Sequence, residues 1–311
     1  MIKDLNPGDE ILTSYLDLSE PLHRREMLLQ QKYMFRCTCA MCKRCRKAQK
    51  SMLNAITSDP ARKAPPASTA ALWMDPREGV WCQKGCGGWI AVPFVKDESD
   101  NNTQSDPASR ETLSVACQAC GSAQTIQLDS LQALRKEGAK AWKLTEERLA
   151  RNDDAGVLSA ASTVLPQLRK VMPPSAFPLF FLLRNVQTAC IGVGSSSSSA
   201  ASEEESVQAF ELAMTAGLLI VAAMQAVNGI IYAEGHPSRA IALATLGRLL
   251  LTEGGSRDQS AAKSGPSRAA SLLGPVPSLP PLPPPGPHRL LFGQKILIQA
   301  LNEVAIGFGA S

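Results

Sequence analysis

The chain has 311 residues, of which 44% are hydrophobic and only 5% aromatic. That length admits two modest domains, and an aliphatic, aromatic-poor core favours packed helices over sheets. With 32 basic against 28 acidic residues the net charge is +4, too balanced to argue for a nucleic-acid binder by itself. The opening MIKDLNPGDE is polar and turn-like, so no secretory signal is read there.

In chain order, Asn6-Pro7-Gly8 supplies a turn, and Ile11, Thr13 and Tyr15 alternate as in a strand. A helix is expected from about Ser19, with Ser19 as N-cap and Glu20 and Pro21 in its first turn. Leu22, Leu29 and Tyr33 are spaced for one face, with Arg24 and Arg25 directed elsewhere. Lys50 to Ala71 reads as an irregular connection, and Asp97 to Arg110 as a polar loop. From Leu131 the apolar spacing becomes helical, through Leu134, Ala141, Trp142 and Leu149. Further helical runs are expected near Ala155–Leu168, Phe177–Cys190, Val207–Val227, Pro237–Leu251 and Gln294–Ile306. Leu212 to Ala233 carries no charge over 22 residues, but Gln225 and Asn228-Gly229 favour two buried helices over a membrane span.

Two low-complexity inserts interrupt the helices. Residues 192–206 hold five consecutive serines and Glu203-Glu204-Glu205. Residues 254–288 hold a proline tract with eight prolines from Pro275 to Pro287. Neither carries enough apolar surface to fold. The P-x-x-P spacing at Pro277–Pro280 fits an SH3- or WW-type partner, against the plainer reading of a spacer.

Eight of the nine cysteines fall into two groups before position 121. Cys37, Cys39 and Cys42 form C-x-C-x-x-C, and Cys45 follows as the local candidate for a fourth ligand, with a cysteine from elsewhere as the alternative. Cys82 and Cys86, then 30 residues, then Cys117 and Cys120 form a second set of four. Glycine follows Cys86 and Cys120 and lets the backbone turn and present amides to sulfur, as in a zinc ribbon. Clustered cysteines without a secretory signal favour metal over disulfides, so zinc is expected at both sets, and four thiolates mark the second as structural. The isolated Cys190 reads as a core residue. Arg36, Lys43, Arg44, Arg46, Lys47 and Lys50 surround the first set. They read as counter-charges to thiolates, and nucleic acid is not expected, since no aromatics interleave. Of three histidines, none lies in a catalytic motif, and His236 before Pro237 reads as structural.

The stretch NPGDEILTSYLDLSEPLHRREMLLQQKYMFRCTCAMC resembles the end of the SET domain and the post-SET zinc motif of SET–MYND protein-lysine methyltransferases. The G-D-E, the strand ending in S-Y, the arginine-bearing helix and the Y-x-F-x-C-x-C-x-x-C appear in order. The second cysteine group resembles a zinc insertion found in part of the family. The helix start at His236-Pro237 resembles one in the family's helical C-terminal domain. The resemblance implies that Tyr15 lies at the methyl-transfer centre and Tyr33 lines the substrate-lysine channel. It implies that Phe35 packs on the adenine of S-adenosylmethionine and that Cys37, Cys39 and Cys42 bind zinc, with a fourth ligand from an N-H-x-C segment. No Asn-His pair, cofactor glycine motif or MYND finger occurs here.

The expected fold is therefore α+β: the C-terminal edge of a SET β-fold (1–35), a post-SET zinc motif (36–50), a zinc-ribbon-like insertion (72–125) and a helical tetratricopeptide-like domain (126–311). The expected function is that of a fragment of an S-adenosylmethionine-dependent protein-lysine methyltransferase, inactive alone, whose substrate is a histone or non-histone protein in the nucleus or cytoplasm. The alternative is a non-catalytic zinc-binding protein-interaction module, and a weaker rival is a nucleic-acid-binding zinc protein.

Overall fold

The computed structural model describes residues 7, 13–58, 75–92, 112–117, 119–195, 203–225, 231–254, 273 and 282–308. They form an α+β protein that is mostly helical, with nine α-helices and two small antiparallel sheets among the described residues. The chain divides into two compact units. The first comprises Ser14–Glu137 and Lys170–Phe177, and the second Met1–Thr13, Gly138–Arg169 and Pro178–Ser311.

In the first unit, α1 (Leu22–Tyr33) starts after Pro21, whose extended backbone takes the N-cap place without a side-chain bond. Ser19 does not cap it. Its N–H instead donates to Asp17 Oδ1 at 2.8 Å in an Asx-type turn, while Glu20 reaches forward to Arg24 Nε at 2.6 Å. The buried face is Leu22, Arg25 and Leu29. Arg25 therefore points inward with the leucines, contrary to expectation, because it lies three residues after Leu22 and four before Leu29. Met34 ends the helix in the left-handed region at φ 59°. Of the expected strand, Ile11 and Leu12 lie outside the described residues, and Thr13 to Tyr15 are not strand.

The helix α2 (Ala40–Ser58) carries the second half of the first cysteine group. It runs nine residues, Lys50 to Ser58, into the expected irregular connection. No glycine or proline interrupts Ala48 to Ser58, and Pro60 follows its end. Residues 59–74 lie outside the described ones. A 3-10 turn at Pro76–Glu78 is capped by Asp75, whose carboxylate accepts from the Arg77 N–H at 3.0 Å. Then β1 (Gly79–Trp81) pairs with β2 (Trp89–Ala91), and β3 (Thr112–Ala116) pairs with β4 (Ala123–Gln127). On β3 and β4, Leu113, Val115, Gln124 and Ile126 face inward while their neighbours are exposed or half-buried, the two-residue alternation of a one-sided sheet. The fully buried Arg135 of α3 (Leu128–Leu149) donates to the carbonyls of Glu78 at 2.8 Å and Val92 at 3.2 Å, fixing this helix to the first hairpin.

In the second unit, the single run expected over Ala155–Leu168 is two helices, α4 (Asp154–Ser162) and α5 (Leu165–Val171), with Pro166 in the first turn of α5, where its missing N–H is tolerated. Asp153 caps α4 by accepting from Gly156 N–H at 2.9 Å. Next come α6 (Leu179–Ser195), α7 (Glu203–Gln225), α8 (Pro237–Gly254) and α9 (Pro287–Phe308). Packing is sequential: α4 on α6, α6 on α7, α7 on α8, and α8 on α9.

The first low-complexity insert is shorter than its composition suggests. Its ends are helical because Gly194 packs on Phe210, Ser206 Oγ donates to the Gly194 carbonyl at 2.8 Å, and Glu203 to Glu205 favour the start of α7. Residues 196–202 and most of 254–288, including Pro275–Pro281, lie outside the described residues. Arg289, the cation nearest the proline tract, is buried and turned inward, donating to Glu211 at 2.6 Å and to the Pro283 carbonyl at 2.8 Å. The helix α7 is long and apolar enough to cross a membrane, and 61% of its apolar window is buried inside the protein. Asn228-Gly229 lies outside the described residues. Cys190 is fully buried in α6. At the α8–α9 crossing the backbones meet at two glycines: a Cβ on Gly293 would lie 2.9 Å from Leu250 Cβ.

The same hairpin is held by a buried ion pair between Arg239 and Glu303, and Glu303 also accepts the Gly235 N–H. Arg239→Ala strands a buried carboxylate and should cost about 3–5 kcal/mol. Chemical denaturation reads this as a lowered midpoint. Glu303→Gln, which can keep the Gly235 bond, should cost less.

Candidate functional site

The two hairpins bring the second cysteine set together. Cys82 and Cys86 sit in the β1–β2 turn, Cys117 and Cys120 in the β3–β4 turn. All four sulfurs lie within 4.8 Å of one another. Cys82 and Cys120 are 3.7 Å apart and Cys86 and Cys117 3.6 Å. A tetrahedron with Zn–S bonds of about 2.3 Å has edges of about 3.8 Å, so these spacings suit a four-thiolate zinc centre. The turns depend on glycine as the sequence suggests: Gly87 has φ 75° and Gly121 φ 69°. Gly88 is needed for another reason, since a Cβ there would lie 2.9 Å from Cys117 Sγ. Its N–H points at Cys86 Sγ at 3.4 Å, and the Gln124 amide donates to Cys82 Sγ at 2.7 Å. Gln124 is a supporting residue that the sequence does not reveal. Its only signal is a polar side chain on the inward face of β4.

Proton affinities divide within this set. Burial disfavours the Cys82 thiolate, but the Lys84 backbone amide and hydrogen bonds from Cys86, Ser122 and Cys120 outweigh it and bring this thiol down to about 6. The Gly88 amide favours a Cys86 thiolate, yet its sharing of a proton with Cys82 and its burial prevail, and Cys86 is pushed up to about 12.

In the first set, Cys37, Cys39 and Cys42 are brought within 4.8 Å of one another. The Cys42 N–H points at Cys39 Sγ at 3.4 Å, as the start of a helix allows. Burial pushes the Cys42 thiol up to about 12, aided by its bond to Cys39 and opposed by the nearby Arg25 charge. Cys45 lies one turn further along α2 and packs with Cys42 in the same small core, but its sulfur faces the Asp75–Arg77 pair, 3.7 Å from each. Burial first, and then the Asp75 carboxylate, hold its thiol well above the ordinary range. Three sulfurs of this set thus share one centre, and the fourth belongs to a polar junction built on Asp75 and Arg77. Asp75 and Arg77 give no sign in the sequence of being buried.

Tyr15, Tyr33 and Phe35, far apart in character as loop, helix end and linker, converge. The Tyr15 ring lies 5.0 Å from Tyr33 and 5.4 Å from Phe35, both edge-on, a favoured aromatic geometry. All three remain open, at 55%, 44% and 36% exposure. The left-handed Met34 turns the chain between Tyr33 and Phe35. Arg46 joins α1 to the first cysteine set, donating to Glu26 at 2.9 Å and to the Cys37 carbonyl at 2.7 Å. Among the histidines, His236 accepts the Ser238 N–H at 3.1 Å at the start of α8, and His23 lies 3.7 Å from Glu78, both structural placements.

Comparison of this chain with protein-family models, with curated proteins and with solved structures finds no match in any of the three.

Two metal ions per chain are expected by elemental analysis, and Cys117→Ser or Gly88→Ala should remove the ion from the hairpin site alone. Binding must also release protons. Cys86 is protonated at neutral pH, and lowering the pH through about 6 adds a proton to Cys82, so affinity for zinc should fall as pH falls. Calorimetric titration at pH 7 in two buffers of different ionisation heat checks the release.

Proposed function

We propose that this chain carries the substrate-lysine side of an S-adenosylmethionine-dependent protein-lysine methyltransferase of the SET–MYND kind, braced by two structural zinc centres. The observations that support this most are the convergence of Tyr15, Tyr33 and Phe35 on one open face and, next in sequence, the clustering of Cys37, Cys39 and Cys42. These are the residues to which the resemblance assigns the methyl-transfer centre, the lysine channel, the adenine contact and the zinc ligands. On this reading the first unit includes the C-terminal edge of a SET fold, and the second is a tetratricopeptide-like stack that binds protein. The cofactor supplies a methyl group on sulfonium. When bound, it would give this methyl to a neutral lysine amine, with the S–C bonding pair left on sulfur and the amine proton passing to solvent. The part of this chain is alignment: Tyr15 and Tyr33 hydroxyls orient the amine, and the half-open Phe35 ring offers a stacking face.

Phe35 is the one residue to which the resemblance gives a cofactor contact. The sequence holds no Asn-His pair to accompany it. The chain alone is therefore proposed not to turn over. That same gap favours a second reading, a non-catalytic module in which the zinc sites hold an aromatic face for protein contact. Transfer of a labelled methyl group to protein substrate separates the two. The chain alone should show none. Joined to the cofactor-binding half of a SET–MYND enzyme it should show activity, reduced about a hundredfold by Tyr15→Phe, while Phe35→Ala should chiefly raise the KM for cofactor. Joined protein that is inactive, or indifferent to Tyr15→Phe, would favour the non-catalytic module.

A further inference from the structure

From Met27 to Ser58 the chain has seven basic residues and no acidic one. Of these bases, one faces the thiolates; Arg25, which precedes the stretch, is buried and also acts on Cys42. Arg46 is half-buried, bonded to Glu26 and the Cys37 carbonyl, and interacts with Cys42 and Cys37. Arg36 turns to Glu26 at 3.2 Å. The remaining bases on α2 lie on its outward face. Its inward positions are Cys42, Cys45 and Ala48, while Lys43, Arg44, Lys47 and Lys50 are exposed. Lys43, Lys47 and Lys50 follow the four- and three-residue spacing of one helical stripe, about 10 Å long at 1.5 Å per residue. The stripe is cationic without an interspersed acid, unlike a surface face that is merely kept soluble.

We propose that the outward face of α2 is a docking surface for the phosphate backbone of double-stranded nucleic acid. Charge complementarity selects this partner. A duplex presents one negative charge per about 1.7 Å of axis, so a stripe of this length meets several phosphates at once. The stripe contains no aromatic to stack on unpaired bases and no apolar anchor to seat a peptide side chain. Lysine heads on flexible stems suit phosphates as point charges and read no sequence.

The test uses the zinc-loaded full chain and a fluorescent 20-base-pair duplex of arbitrary sequence, followed by anisotropy between 50 and 200 mM salt. Binding should be in the micromolar range or weaker, and the slope of log affinity against log salt should be about −3. Lys43→Gln, Lys47→Gln and Lys50→Gln together should bring the slope close to zero and weaken binding at least tenfold at 50 mM salt. The same three changes to arginine should retain both slope and affinity, which excludes loss of fold. No binding at 50 mM salt, or a glutamine variant that binds like the parent, overturns the proposal. So does displacement of the duplex by poly-glutamate at a lower charge concentration than by unlabelled duplex, which would assign the surface to an acidic protein.

Discussion

The first unit is organised around one buried guanidinium. Arg77 is almost wholly buried and uses all five of its N–H groups. Nε and Nη2 fork onto Asp75 at 2.7 and 2.8 Å, Nη1 reaches the carbonyls of Leu18 and Glu20, and Nη2 also reaches Cys45 Sγ. Burial disfavours the cation, but Asp75 more than offsets it, so Arg77 stays charged. A buried charge is tolerated only when its partners are complete. The segment before α1, the inward face of α2 and the turn before β1 must therefore be in place together. This condition ties sequence positions nearly 60 residues apart and carries the first cysteine set along with them.

Two kinds of positioning follow from it. The hairpins hold their four sulfurs by turn geometry, with Gly87, Gly88 and Gly121 allowing approaches that a side chain would block. The first set is held by a helix start and by tertiary packing against Leu22, so it depends on the Arg77 junction in a way the hairpin set does not. Beside it the aromatic face stays open because Met34 reverses the chain at the end of α1, and Tyr33 and Phe35 make their ring contacts with each other and with Tyr15. In the second unit, order comes from small residues at helix crossings, from the Arg239–Glu303 pair and from the few rings the chain has, with Trp142, Phe180 and Phe181 buried against one another.

Local signals are readable in the sequence and long-range ones are not. Cysteine spacing and the glycines after Cys86 and Cys120 are enough to mark the hairpin turns, because a turn is decided by its own few residues. Most of the helices of the second unit are visible as apolar periodicity, with ends shifted where Ser206 and Gly194 extend them, and in the first unit a run free of glycine and proline extends α2. The inward direction of Arg25, the burial of Asp75, Arg77 and Arg135, and the turning of Cys45 toward Asp75 escape a sequence reading. Charged side chains are assigned to the surface by type, and only a complete set of tertiary partners reverses that. Tyr15, Tyr33 and Phe35 are separated by up to 20 residues, and periodicity gives no reason for their rings to meet as they do.

Two cysteine clusters among the described residues, one of four sulfurs and one of three with Cys45 held aside, are each spaced to hold a metal ion. X-ray absorption at the zinc edge of the fully loaded protein tests this most directly. It should show a first shell of sulfur at about 2.3 Å, with at most one lighter ligand across the two ions. Two or more nitrogen or oxygen ligands per ion, at about 2.0–2.1 Å, would contradict it.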